Sequence, residues 1–195
     1  MLYDKMEVIK VASIFGFAIK ELRTFRGRDG VGSQGNIYYN GKKVGWYNDS
    51  ADGGASDIEF EGTKEQRVEM CGLLKEATRK YYEKFPMQGV YADLKPNEEL
   101  FMARLVELSI EEKEFKNLLA KGQLSKMLYY REKNAYEEMR VYFASDKQLD
   151  EYCSKKAMDE PRVYRGLDDF NIDESTLGYA QIPEEDQEQG LQITQ

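Results

Sequence analysis

Three groups of side chains between Gly30 and Phe60 have types and spacings that chemistry uses. Gly30, Gly32 and Gly35 match G-x-G-x-x-G, the glycine pattern that lets a backbone approach a pyrophosphate. In a dinucleotide site this pattern follows a strand and opens a helix, whose N-terminal N–H groups receive the phosphates. Here Asn36 begins a tyrosine-rich strand pattern, so the glycines read as a flexible hairpin connection and no nucleotide cofactor is expected. Next, Asn48 counted as position one puts Ser50 third, Asp52 fifth, Gly53 sixth and Glu59 twelfth. That approaches the calcium loop D-x-[DN]-x-[DN]-G-x5-E. Asn48 in place of Asp, the small Ala55 at position eight and flanking strand patterns favour a surface turn instead. No metal is expected, and Asn48, Ser50, Asp52 and Glu59 are the weak candidates for one. Finally, Asp49, Asp52, Asp57 and Glu59 near Arg26 and Arg28 supply carboxylates for a divalent-metal enzyme, but nothing in their spacing fixes a geometry.

The chain has no histidine. That removes histidine bases, Ser-His-Asp triads and the usual zinc sets. Catalysis would have to run on carboxylates, Lys, Tyr or Cys, and the expectation is a protein that is not an enzyme. Cys71 and Cys153 are far apart and form no metal motif; each falls in a helical pattern where a buried thiol is the default.

What remains is a surface for binding. From Ile19 to Asn48, Lys20, Arg23, Arg26, Arg28, Lys42 and Lys43 face only Glu21 and Asp29, with Phe25, Tyr38, Tyr39, Trp46 and Tyr47 interleaved. Arg23, Arg26, Arg28, Lys42, Lys43, Trp46 and Tyr47 are the candidate partner-binding residues. Strand alternation puts about half of the aromatics outward. Outward aromatics among basic groups can stack bases and contact phosphates; the plainer alternative is one core face and one ordinary amphipathic face.

The elements that would position these groups follow from periodicity. Asp4 with Glu7 resembles a capping box for a helix through MEVIKVASIF, stopped at Gly16. AIKELRTF, NIYY, KVGWY and SDIEF read as strands, with Asn40-Gly41 as a two-residue hairpin turn. Thr63 with Gln66 opens a helix to about Lys84, whose buried face is Val68, Cys71, Leu74, Ala77 and Tyr81. Pro96 precedes a further amphipathic helix, and Ser109 with Glu112 predicts a kink or a new start inside it; Gly122 ends it. SKMLYYRE and EEMRVYFAS form a second hairpin, and Ser145 with Gln148 caps a last helix to about Ala157. The fold class is α+β: antiparallel meander and hairpins packed with amphipathic helices, followed by an acidic C-terminal tail.

The body is expected over 1–158, comprising an N-terminal helix and meander (4–60), helices (63–121) and a second hairpin with a helix (123–157). Residues 159–195 hold ten of the 36 acidic residues and two of the 28 basic ones, so the net charge of −8 belongs entirely to this segment. It reads as a largely flexible tail, disordered over about its last 20 residues, although Val163, Tyr164, Leu167 and Phe170 have the character to pack back. Binding specificity is expected in the body, with the tail tuning affinity. No apolar run approaches the roughly 20 residues a membrane span needs, and the charged N-terminus does not read as a signal peptide. A cytoplasmic protein of a bacterial host with no membrane contact is therefore expected.

The run FGFAIKELRTFRGRDGVGSQGNIYYNGKKVGWYNDSADGGASDIEF resembles small accessory proteins of bacteriophages and other bacterial mobile elements. These share "TFRG-x-(D/E)-G", a strand, "(D/N)GKKV", a strand and an acidic Asp-(x)-Gly-Gly loop; ELFMARLVELSIEEKEFKNLL is similar to their later helix pair. The likeness covers Ala12 to Leu119. It implies a mobile-element accessory protein and supplies no catalytic residues; with the absence of catalytic groups and the polarised charge, the expectation is a non-catalytic inhibitor of a host nucleic-acid-acting defence system, such as a CRISPR effector or restriction enzyme. The partner would be a host protein or protein–nucleic-acid complex, with direct nucleic-acid contact possible. Alternatives are a single-stranded nucleic-acid or RNA reader using the basic aromatic hairpin, and a metal-dependent enzyme using the 49–59 carboxylates.

Overall fold

A computed structural model describes residues 11–122, 126–133 and 135–175. In chain order the elements begin with β1 (Ser13–Ile14), β2 (Phe17–Arg26), β3 (Val31–Tyr39), β4 (Lys42–Asp49) and β5 (Asp57–Phe60). Helices α1 (Lys64–Lys84) and α2 (Glu98–Ala120) follow, then β6 (Lys126–Glu132), β7 (Glu138–Phe143), α3 (Asp146–Cys153), β8 (Met158–Tyr164) and β9 (Asn171–Ile172). One sheet has the order β5-β4-β3-β2-β1-β9, antiparallel except where β9 joins β1; the other has the antiparallel order β7-β6-β8. The fold is α+β, as the element pattern predicted.

Turn chemistry sets the first sheet. Asn40 and Gly41 take φ of 47° and 81°, the left-handed pair that a two-residue hairpin turn needs. Phe15 and Gly16 repeat it at 47° and 84°. The two turns interlock: the Asn40 N–H donates to the Gly16 carbonyl at 2.9 Å, and a Cβ on Gly16 would lie 2.5 Å from Asn40 Oδ1. Gly16 therefore ends no helix. Ser13 and Ile14 are β-strand, and the rest of the expected N-terminal helix, residues 1–10, lies outside the described residues.

Gly32 and Gly35 sit inside β3, not in a connection. A Cβ on Gly32 would meet the Asp49 carbonyl at 2.5 Å, and one on Gly35 would meet Ile19 Cγ2 at 2.6 Å. Gly35 lies beside a bulge in β2, where the register slips between Lys20 and Arg23 and Glu21 takes φ of 56°. Close packing of strands accounts for these two glycines.

The capping box at α1 forms as its spacing predicts, with the Gln66 N–H donating to Thr63 Oγ1 at 3.3 Å and the Thr63 N–H to Gln66 Oε1 at 2.9 Å. Only the second half of its expected face is covered: Leu74, Ala77 and Tyr81 are buried, while Val68 and Cys71 are exposed. No kink divides α2. Ser109 Oγ donates back to the Leu105 carbonyl at 2.9 Å, so it does not cap a new helix. Phe101, Met102, Leu105, Leu108 and Phe115 carry α2 into the main core with Phe17, Ile19, Ile37 and Tyr47.

The four consecutive buried side chains of β6 divide by parity. Met127 and Tyr129 join the main core, whereas Leu128 and Tyr130 join a smaller one with Phe143, Leu149, Cys153 and Val163. Thus α2 is held between two sheets and α3 covers the far side of the second. Ser145 caps α3, which ends at Cys153, short of Ala157.

The division at 158/159 does not match the fold. Residues 158–172 form β8, a short 3₁₀ turn at Leu167–Phe170, and β9, and so join the second sheet to the first. The Phe170 ring stacks on Tyr164 at 4.1 Å and meets Phe115 at 5.5 Å. Part of the acidity that made this segment look like a tail is paired with cations elsewhere, Glu160 with Arg131 and Glu174 with Lys80. Arg165 pairs with Asp146 at 2.6 Å and Asp150 at 3.0 Å, and Asp169 Oδ2 accepts from the Arg165 and Gly166 N–H groups. Residues 176–195 lie outside the described residues. Phe170→Ala should lower the unfolding free energy by about 3–5 kcal/mol in a urea titration; an unchanged midpoint would show that this segment is not part of the core.

Candidate functional site

Strand register arranges the outer face of the first sheet in rows. One row runs Lys20, Asn36, Trp46, Glu59 across β2 to β5, and the next runs Arg23, Gln34, Asn48, Asp57. Each begins with a cation, passes through an amide and ends on a carboxylate. Trp46 is partly buried within its row, and Arg23, Gln34, Asp57 and Glu59 are exposed. A shallow depression of about 290 Å³ lies between Arg23, Gln34, Asn36, Trp46 and Asn48. The Lys20 Nζ lies 4.5 Å above the Tyr38 ring, and Asn36 donates to Glu21. Helices α1 and α2 pack against the opposite face.

The structure distributes the expected binding residues unevenly. Arg23 and Trp46 share the outer face. Tyr47, one residue on, points inward and is 2% exposed, with its hydroxyl 3.3 Å from Ser56 Oγ. It is a core residue, and burial pushes its hydroxyl pKa up. Lys43 pairs with Glu61 at 2.9 Å, and Lys42 stands exposed at the hairpin end. Arg26 is at the far end of β2 opposite Val31. Arg28 braces two loops, donating to the Asp52 carbonyl at 2.6 Å while pairing with Asp29 at 3.1 Å. The basic patch is therefore diluted, because β5 brings Asp57, Glu59 and Glu61 beside it.

The 48–59 carboxylates are similarly dispersed. Asp49 Oδ1 accepts the Ala51 N–H at 2.9 Å and Asp52 Oδ1 the Gly54 N–H at 3.1 Å, so both fold their own turn. Asp57 receives Asn48 Nδ2 at 3.5 Å, Glu59 pairs across from Trp46, and Ser50 stays in the loop. Among the described residues no group of three or more His, Cys, Asp or Glu is placed to hold a metal ion.

A second feature was not legible in any sequence window. Arg104, Glu111 and Glu114 lie on one stripe of α2 turned toward the second sheet, with Glu107 exposed beside Arg104. Glu111 is 3% exposed. Its carboxylate accepts from Arg104 at 2.9 and 3.3 Å, from Arg162 at 2.9 Å and from the Tyr164 hydroxyl. Burial pushes the Glu111 pKa up, but Arg104 and Arg162 outweigh it and hold the carboxyl down to about 2. Glu114 accepts Tyr129 at 2.8 Å, together with Arg140 and Tyr142. Burial raises its pKa, and these hydrogen bonds more than offset that. Arg140 and Arg162 each lie 5.6 Å from the Tyr129 ring.

Beside this knot opens a cleft of about 470 Å³ between the end of α1, the 85–94 connection, α2 and β8. Tyr82, Phe85, Tyr91 and Leu100 form its apolar wall, and Arg104, Arg131 and Arg162 line its polar side. Gln88 and Glu160 tie the connection to β8 through two backbone N–H bonds of 3.1 Å, one in each direction. Burial pushes the Tyr82 hydroxyl pKa up. None of the described helices is long and apolar enough to cross a membrane.

No protein-family model, curated protein or solved structure matches the chain.

The Glu111 knot carries a pH signature. Its carboxyl titrates lower in the folded chain than in the unfolded one, where about 4.3 is usual. The stabilisation is therefore complete above the unfolded value and is lost as pH falls from about 4.5 toward 2, by roughly 3 kcal/mol. Glu111→Gln should cost about 3–5 kcal/mol near neutrality, because two buried guanidinium groups lose their partner. It should also flatten the acid limb of stability against pH; urea midpoints of both proteins across that range would reveal an unchanged slope if the assignment fails.

Proposed function

We propose that this chain is a non-catalytic binding protein that docks a partner protein on the outer face of its first sheet. The observation that carries the reading is the row Lys20, Asn36, Trp46, Glu59, with a tryptophan between an amide and opposite charges on an uncovered sheet. Tryptophan and arginine flanked by hydrogen-bonding groups are the residue types that dominate interface energetics. A surface graded from positive to negative suits a protein of complementary grading. A phosphate backbone is instead best matched by uninterrupted positive charge, and Asp57, Glu59 and Glu61 interrupt it here.

The class of partner rests on the resemblance to mobile-element accessory proteins. It points to a host nucleic-acid-acting defence system of the CRISPR-effector or restriction type. Inhibition would follow from occupying the working surface of that system, with no catalytic step by this chain. The nucleic-acid reading keeps one supporting feature, the exposed Phe25 and the half-buried Tyr38 near Lys20 and Arg23.

Target cleavage by purified CRISPR effectors and restriction enzymes, with and without this protein, tests the proposal. Inhibition by the native chain should fall at least about tenfold for Trp46→Ala. The thermal midpoint of that variant should drop far less than that of Tyr47→Ala, whose ring is core. Absence of inhibition across the panel would remove the defence-antagonist reading. Tight, salt-sensitive binding of single-stranded oligonucleotides by the free protein would transfer the face to nucleic acid.

A further inference from the structure

The cleft beside the Glu111 knot is lined on its polar side by the guanidinium groups of Arg104, Arg131 and Arg162. Arg162 is 6% exposed, and its Nε–H is buried with no hydrogen-bond partner; the Arg131 Nε–H is buried in the same condition. Both arginines therefore bring positive charge to the polar side of the cleft, where an anionic group would be paired with a guanidinium. The carboxylates at the cleft are already engaged. Glu160 is held by Arg131 and by the Gln88 N–H, and Glu107 by Arg104 at 3.3 Å.

The apolar wall indicates the rest of the ligand. Tyr82, Phe85 and Leu100 offer flat, partly buried surface, and Leu94 is 45% exposed. The Tyr91 face is taken by the Arg131 guanidinium, 4.8 Å from its centroid, so a cationic ligand would have to displace a cation already there. A volume of about 470 Å³ suits a small molecule. The bonds between Gln88 and Glu160 hold the 85–94 side in place, so little ordering is required on binding.

We propose that this cleft binds a small aromatic carboxylate, its ring against Tyr82, Phe85 and Leu100 and its oxygens accepting from Arg131 and Arg162. Guanidinium N–H groups and a carboxylate form charge-assisted bonds that also orient the ring. The site is separate from the outer sheet face and requires no particular partner there.

Indole-3-acetate and tryptamine carry the same ring with opposite charge, and each can be titrated into the full chain while backbone amide shifts are followed by NMR. Indole-3-acetate should bind saturably, moving amides of residues 82–107, 131 and 160–162, and should bind at least about tenfold more tightly than tryptamine. Ala103→Leu fills the wall without touching the buried charges, and Arg131→Gln removes one donor. Each should weaken indole-3-acetate by about tenfold or more while leaving a cooperative thermal transition. The proposal is overturned if indole-3-acetate does not bind saturably, if tryptamine binds as tightly, or if neither variant weakens binding.

Discussion

Glu111 lies between two guanidinium groups, one from its own helix and one from β8, with a tyrosine hydroxyl completing the set. A buried carboxylate tolerates little error in such an arrangement. Its desolvation is offset only while Arg104, Arg162 and Tyr164 are all in place, and removing one partner leaves an uncompensated charge in a poor dielectric. Arg162 and Tyr164 project from the same side of β8, so the requirement fixes the register of β8 against β6 as well as the rotation of α2. The knot gives specificity of arrangement, and the surrounding aromatics give most of the burial energy. Tyr164 illustrates both roles, since its hydroxyl serves Glu111 while its ring stacks on Phe170.

Other features follow from that constraint. With α2 rotated so that Arg104, Glu111 and Glu114 face the second sheet, Phe101, Leu105 and Leu108 are left to face the first. The helix is thus covered on both sides, and its charged stripe, which would normally face water, meets Arg140, Tyr129 and Arg162 instead. The chain beyond β8 must then cross back over α2. The Leu167–Phe170 turn and β9 make that crossing and place a parallel strand beside β1. The cleft exists because α1 and the 85–94 connection lean on the end of this assembly without filling it.

Local signals in the sequence were largely sufficient where the chain folds on itself. Asn40-Gly41, the Thr63/Gln66 and Ser145/Gln148 caps, and the strands of the meander each have a cause within a few residues. Failures came where a distant residue decided the outcome. Ser13 and Ile14 are strand because Ser13 pairs with Asn171 and Ile14 with Ile172, more than 150 positions away. Ser109 does not cap because α2 continues unbroken through it and its hydroxyl bonds back to the Leu105 carbonyl. Asp159 to Ile172 looked like a tail because its charges find partners at Asp146, Asp150 and Glu111, none of them nearby in sequence. Parity explains the site. Trp46 and Tyr47 were read together as surface anchors, and a strand must send two consecutive side chains to opposite faces.

The outer face itself departs from what stability alone would select. Amide and glycine side chains are poor choices for mid-strand positions, where β-branched and aromatic residues pack better. Yet Gln34 and Asn36 occupy the centre of β3 and Asn48 the end of β4, and Gly32, Gly35 and Gly45 stand among them. The glycines have a packing reason, since a Cβ at Gly35 or Gly32 would meet Ile19 or the Asp49 carbonyl. The amides have none of that kind. Their side chains lie on the face away from the core, and two of them reach no further than Glu21 and Asp57 on neighbouring strands. Local rules in natural proteins are most often broken where function requires it. A row of hydrogen-bonding groups around one tryptophan, on a face whose only structural duty is to be the back of a sheet, is such a departure, and it is the physical reason to look for the partner there.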